Sequence, residues 1–381
     1  MSGVDQAGDR KAHFDHVRRV VVKLGTRVVT VRDHELNVPL IERLATDVAQ
    51  LRQMGIQTAI VSSGAVGAGM GRLGLKLRPK KLAELQATAA VGQGLLMNAY
   101  KQAFGDHDLP VGQVLLTSED LDSRPRYVNA RNTLNQLFRY DSVPIINEND
   151  SVAVEELQLS VGENDRLAAL VAHLVDAHLL VIMTDVEGLF TRDPSQFPDA
   201  QLIPFVRGIS PELYALVGSA GSAVSRGGMR TKLRAAETVL QGGRMALIAN
   251  GQKHGLCNML SGSEVGTLFV PGAPGLNGRE IWMAHSRKHG VLVVDDGATE
   301  ALRQGGKSLL PSGVLQVVGN FEAGDLVGVE TLQHVEIACG LVRYNAEDIQ
   351  KIRGKKTSQI AHLLHVNAGE EVIHRDDMVV F

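Results

Sequence analysis

Two kinds of hydrophobic pattern alternate along the first two-thirds of the chain. Runs of β-branched and aliphatic residues cover 17–24, 57–61, 111–116, 143–147, 178–185 and 244–251. Between them lie segments whose apolar residues recur every three or four positions, at about 40–54, 80–104, 130–140, 165–177 and 232–240. In the first of these, Leu40, Leu44, Val48 and Leu51 share one helical face, Pro39 sits near the start and Gly55 follows the end. A strand that is apolar along its whole length needs cover on both faces. The alternation therefore predicts a mostly parallel, doubly wound α/β sheet over 17–284.

Beyond about Gly262 the pattern changes. Short β-like segments at 291–295, 314–318, 325–330, 334–342 and 372–381 are separated by Gly, Pro and Asp, with one helix at 298–303. This predicts a small β-rich second domain over 290–381.

In an open parallel sheet, ligands bind beyond the carboxyl ends of the strands. Those ends read Lys23-Leu24-Gly25, Ser62-Ser63-Gly64, Asn147-Glu148-Asn149-Asp150, Thr184-Asp185 and Asn250-Gly251. All are polar or glycine-bearing, so the chemistry is expected there. Lys23 interrupts an apolar strand. Such a lysine either reaches solvent at the strand's edge or is held by a partner. Ser225-Arg226-Gly227-Gly228-Met229-Arg230-Thr231-Lys232 combines adjacent glycines with three cations ahead of a helix. It reads as a phosphate cradle or as a surface linker. Asn147–Asp150 and Gly162-Glu163-Asn164-Asp165 mix amides with carboxylates. That mixture suits a ligand bearing both ammonium and carboxylate, or magnesium, and one such cluster is readily explained by turn and cap chemistry.

Composition narrows the field. Of 381 residues, 44% are hydrophobic and 21% charged, which excludes disorder as the main state. The net charge of −3 does not by itself call for nucleic acid or a membrane, and 4% aromatics argue against base-stacking platforms. Cys257 and Cys339, far apart, make neither a disulfide framework nor a zinc site. No apolar run approaches ~18 residues and the opening residues lack a signal-peptide core, so a cytoplasmic protein is expected. Gly69-Met70-Gly71-Arg72-Leu73-Gly74 spells GxGxxG but lacks the strand-turn-helix setting and the later acid of a dinucleotide site. The HxxH pairs at His13/His16 and His362/His365 have no third ligand, and no metal site of the protein's own is expected.

Taken together, VVVKLGTRVVT (20–30), VSSGAVGAG (61–69), INENDSVAV (146–154), VGENDRLAAL (161–170), MTDVEGLFTRDP (183–194) and GGMRTKLRAA (227–236) resemble the amino-acid kinase superfamily. VDDGATEAL (294–302), LLPSGV (309–314) and HRDDM (374–378) resemble the PUA domain appended to bacterial members. The resemblance spans nearly the whole chain. It implies an ATP- and Mg²⁺-dependent transferase acting on the γ-carboxylate of L-glutamate to give L-glutamyl 5-phosphate, the opening step of proline synthesis. It implies Lys23 and Lys232 at the phosphates, with Asp165 orienting both. Thr184, Asp185, Arg226, Gly227, Gly228, Met229, Arg230 and Thr231 would hold the nucleotide with Lys23 and Lys232. Ser63, Asp150, Asn164 and the nearby Asn147 would hold glutamate. Arg226 stands where many relatives have threonine, and Glu163 where they often have aspartate. The resemblance also implies feedback inhibition by proline, a dimer or tetramer, and hand-over to glutamyl phosphate reductase.

Some PUA domains bind RNA, which gives a competing reading. Residues 290–381 carry 8 Lys+Arg against 13 Asp+Glu, so this module offers little phosphate neutralisation. The basic run Lys351–Lys356 reads as a solvated helix end.

Overall fold

The computed structural model describes residues 10–31, 34–152, 163–217, 228–304, 306–355, 359, 364 and 371–381. The chain divides into two compact units, Met1–Leu276 and Asn277–Phe381.

The first unit is built on eight strands: β1 (Arg19–Leu24), β2 (Gln57–Ser62), β3 (Val111–Leu116), β4 (Val143–Glu148), β5 (Leu179–Thr184), β6 (Phe205–Arg207), β7 (Met245–Asn250) and β8 (Thr267–Val270). The longer helices between them are α1 (Val38–Gln53), α2 (Ala65–Leu73), α3 (Leu82–Gly105), α4 (Arg124–Arg139), α5 (Glu163–Leu174) and α6 (Met229–Gln241). The sheet order is β3-β4-β2-β1-β5-β7-β8-β6. Every described pairing in it is parallel except β7–β8, which is antiparallel. β5 is buried along its full length, and β1 and β2 along all but their first residue. This is the consequence of helices on both faces.

Several boundaries differ from those read in the pattern. α4 begins at Arg124, six residues earlier than the apolar spacing suggests, because Pro125 sits in its first turn, where a missing N–H costs nothing. α2 was not expected: its sequence AVGAGMGRL is rich in glycine, which disfavours helix. It forms because it packs against α3. A Cβ on Gly69 would overlap the carbonyl oxygen of Thr88, and one on Gly92 that of Ala65, so the helices cross closely only with glycine at both places. The GxGxxG is thus part of a helix crossing, with Gly69 and Gly71 inside α2 and Gly74 closing it in the left-handed region at φ 66°.

The second unit is a five-stranded sheet of order β10-β9-β11-β12-β13, comprising β9 (Gly290–Val294), β10 (Val314–Gly319), β11 (Leu326–Glu330), β12 (Glu336–Val342) and β13 (Ile373–Val380). Its core gathers Leu292, Val294, Val327, Val329, Ile337, Ile349 and Ile373. Three α-helices are bounded within the described residues here, where the pattern showed one. The helix expected at 298–303 spans Asp296–Arg303, and Gly278–His285 and Ala346–Ile352 are added. Gly278–His285 is capped by Asn277 and Glu280 and buries Ile281, Trp282 and Met283.

Candidate active site

The parallel registers bring polar strand ends to one edge of the sheet. Lys23 in β1 lies opposite Val61 of β2 and Ile182 of β5, and Thr184 at the end of β5 lies opposite Asn250 at the end of β7. Lys23 is held by a partner and does not reach solvent. Its Nζ lies 2.7 Å from Oδ1 of Asp165, in the first turn of α5. The other oxygen of that carboxylate, Oδ2, accepts a hydrogen bond from Thr231 Oγ1 at 2.7 Å and lies 3.6 Å from Lys232 Nζ. Thr231 and Lys232 stand in the first turn of α6, so one carboxylate ties together β1, α5 and α6.

All three charged side chains are buried: Lys23 at 6% exposure, Lys232 at 7% and Asp165 at 1%. Burial alone would raise the Asp165 carboxyl, but Lys23, Lys232 and the two hydrogen bonds outweigh it and hold the group below the usual carboxylate range. Burial pushes the Lys232 ammonium down. Asp165 opposes that shift and Lys23 adds to it. These two lysines and one carboxylate sum to a formal charge of +1 in a poorly hydrated place, with the Asp185 carboxylate also acting on Lys232. Buried charge is costly unless compensated, so the cluster favours an anion.

A second group lies beside it, built from amides. The backbone N–H of Glu148 donates to Asn147 Oδ1 at 2.9 Å, and Asn147 Nδ2 donates to Gln93 Oε1 of α3 at 2.9 Å. Asn164 Nδ2 donates to Ser63 Oγ at 3.0 Å and to Asn147 Oδ1 at 3.3 Å. The ends of β2 and β4 and the start of α5 are thereby joined. Ser62 shares a 2.8 Å hydrogen bond with Tyr100, also on α3. Asp150 follows β4 by two residues and is half-buried.

On the other side, Thr184 Oγ1 donates to Asp185 Oδ1 at 3.1 Å, and Arg27 pairs with Asp185 Oδ2 at 3.1 Å. Burial would raise the Asp185 carboxyl, but the bonds from Arg27, Thr184 and backbone hold it low. Asn250 donates to Glu187, which also meets Lys253 at 2.6 Å. Gly228 precedes α6, and Arg230 lies with its guanidinium 5.6 Å from the ring centre of Tyr214. Arg226 and Gly227 fall outside the described residues, as does the side chain of Glu163. Of the remaining candidates, Lys23, Asp165, Thr231 and Lys232 meet directly. Ser63, Asn147 and Asn164 form one network, and Thr184 and Asp185 another.

Comparison with known proteins identifies the family. Residues 18–250 match the amino acid kinase family, and residues 290–364 match the PUA domain. The chain belongs to the amino acid kinase family. Among its relatives, the glutamate 5-kinase of Pelobacter propionicus is 46% identical over 97% of this chain and 100% of its own length. That of Moorella thermoacetica is 47% identical over 96% of this chain and 97% of its own, and that of Caldanaerobacter subterraneus 44% over 95% and 97%. Within the family, the chain falls among the glutamate 5-kinases. Among the described residues, no helix is long and apolar enough to cross a membrane.

Gln93, Tyr100 and Arg27 were not singled out in the sequence. For the first two a signal exists. Gln93 and Tyr100 are seven residues apart in α3 and lie on the face that buries Leu85, Ala89, Gly92 and Leu96. A glutamine on an apolar helical face calls for a partner.

Proposed function

We infer that this protein transfers the γ-phosphoryl group of ATP to the γ-carboxylate of L-glutamate, yielding L-glutamyl 5-phosphate at the start of proline synthesis. The observation that carries the reading is the buried Lys23–Asp165–Lys232 cluster with its excess positive charge. Phosphoryl transfer needs positioning and charge stabilisation more than covalent help. A glutamate side chain, with a reference pKa near 4.3, is already ionised at neutral pH and attacks phosphorus without a general base. Lys23 and Lys232 would then face the phosphates and spread the charge that develops on the transferring group. Asp165 positions both ammonium groups and lowers their mutual repulsion. The 13-residue α6 directs its first backbone N–H groups outward beside Lys232, an arrangement that suits phosphate.

The nucleotide would lie along Thr184, Asp185 and the 226–232 segment. Ser63, Asn147, Asp150 and Asn164 would hold glutamate. No three His, Cys, Asp or Glu side chains converge among the described residues, and Asp165 is already engaged. These donors fit a magnesium ion carried on the nucleotide's own phosphates, not one caged by protein. Such an ion supplies further neutralisation of phosphate charge when bound.

Proline, with the same α-carboxylate and amine as glutamate, would compete at the amide network. Inhibition relieved by raising glutamate supports this, and no inhibition at millimolar proline rejects it. A dimer or tetramer, measured by light scattering, and delivery of the acyl phosphate to a reductase, measured by coupled turnover against free exchange, belong to the same reading. A strictly monomeric active species or turnover indifferent to the reductase would remove them.

The central test is ADP formation with ATP, Mg²⁺ and a panel of acceptors. L-glutamate should stimulate it far more than N-acetylglutamate, aspartate or UMP. A preference for N-acetylglutamate would overturn the substrate assignment.

A further inference from the structure

The amide network has a direction. A backbone N–H can only donate, so the Glu148 N–H bond at 2.9 Å fixes Oδ1 as the oxygen of Asn147. Its Nδ2 must then donate, and the group that receives it is Gln93 Oε1. Because Asn147 Oδ1 accepts, Asn164 meets it with Nδ2, and the same nitrogen donates to Ser63 Oγ. Two consequences follow at the ligand end. The Ser63 hydroxyl, having accepted from Asn164, keeps its own hydrogen to give. Asn164 Oδ1 is left as a buried acceptor without a protein partner. A donor hydroxyl suits a carboxylate, and a bare carbonyl oxygen suits an ammonium group.

We propose that Gln93 is a positioning residue for substrate recognition, whose Oε1 holds the Asn147 amide and through it sets the donor at Ser63 and the acceptor at Asn164. Asn147 is 1% exposed, so water cannot replace Gln93 as the acceptor for its Nδ2. Gln93 Nε2 is buried and has no protein partner, so only the carbonyl half of this side chain takes part in the network. The inference rests on the glutamate assignment made above.

That asymmetry supplies the test, read as steady-state kinetics of ADP formation. Gln93→Met keeps the length of the side chain and removes the acceptor. It should raise the glutamate KM roughly tenfold or more, as an orphaned buried donor implies, while the ATP KM stays within about twofold. Gln93→Glu keeps the acceptor and loses only the unpaired amine. It should retain a near-native glutamate KM at low pH, where its carboxyl is neutral. That KM should climb as pH rises and the new charge, held against Asn147, repels the substrate's carboxylates. A residue that only filled space would lower the melting temperature of both variants, leave KM unmoved and add no pH dependence. Equal behaviour of Gln93→Met and Gln93→Glu across pH, or a native KM in Gln93→Met, overturns the proposal. Wild-type protein that ignores glutamate would instead remove the assignment on which it rests.

Discussion

Lys232 meets Asp165 from the first turn of α6, yet burial still drives its ammonium below the usual lysine range. If its charge faces the transferring phosphoryl group, turnover depends on the protonated form. The rate should therefore fall as pH rises through that lowered value, short of the ~10.4 of a free lysine. Lys232→Arg, which stays charged throughout, should lose this alkaline limb even if its rate is reduced. Lys232→Ala should lower kcat by roughly 10²–10³, or about 2.7–4 kcal/mol of transition-state stabilisation, a typical cost for one preorganised charge. kcat measured across pH for the three proteins decides it. An unchanged rate in the alanine variant, or the same limb in the arginine variant, would take Lys232 out of the chemistry.

At the scale of elements, the α2–α3 crossing gives a sharp contrast within one helix. Gly92 lies against the backbone of α2, whereas Gly94, two residues on, has open space around the position of a Cβ. Gly92→Ala must push the helices apart and should cost at least about 1–3 kcal/mol, the range for overpacking. Gly94→Ala should stabilise by roughly 0.5–1 kcal/mol, since alanine loses less backbone freedom in a helix. Denaturant melts of both read the two signs directly, and a shared sign would refute the contrast. The same crossing shows which parts of the fold could be seen beforehand. Long apolar strands and amphipathic helices announce themselves because each buries a continuous face. α2 does not, since its glycines disfavour helix locally and are required only by contact with α3. β6 and β8, of three and four residues, are too short to show a period. In the site, polar residues at strand ends stood out against apolar runs, and so Lys23, Ser63, Asn147 and Thr184 were legible. Gln93 was hidden because it lies 54 residues from Asn147 in sequence, and a glutamine on an apolar helical face signals that a partner exists without saying which.

For the whole molecule, the division after Leu276 separates the candidate site residues from the β-rich module. Every candidate site residue lies between Lys23 and Lys232, inside the first unit. The backbone at Leu276 still bonds to Gln241 at the end of α6, whereas the next residue, Asn277, caps the helix Gly278–His285. That helix belongs to the second unit, where Cys339 donates its thiol to the carbonyl of Met283. A chain ending at Leu276 should therefore fold in one cooperative transition and retain glutamate-dependent ADP formation. A chain ending at Ala284 would keep most of that helix but lose the strands that cover Ile281, Trp282 and Met283. It should be the less soluble of the two, because an uncovered apolar face of this kind promotes association. Thermal melts, light scattering and turnover on both chains make the comparison. A folded 1–276 chain without turnover would show that the second unit completes the active site. Full activity would leave that unit a role apart from the transfer itself. Its excess of acidic over basic side chains argues that this role is not RNA capture, since few phosphates could be neutralised. Tight, salt-sensitive RNA binding by the full chain would contradict that last step.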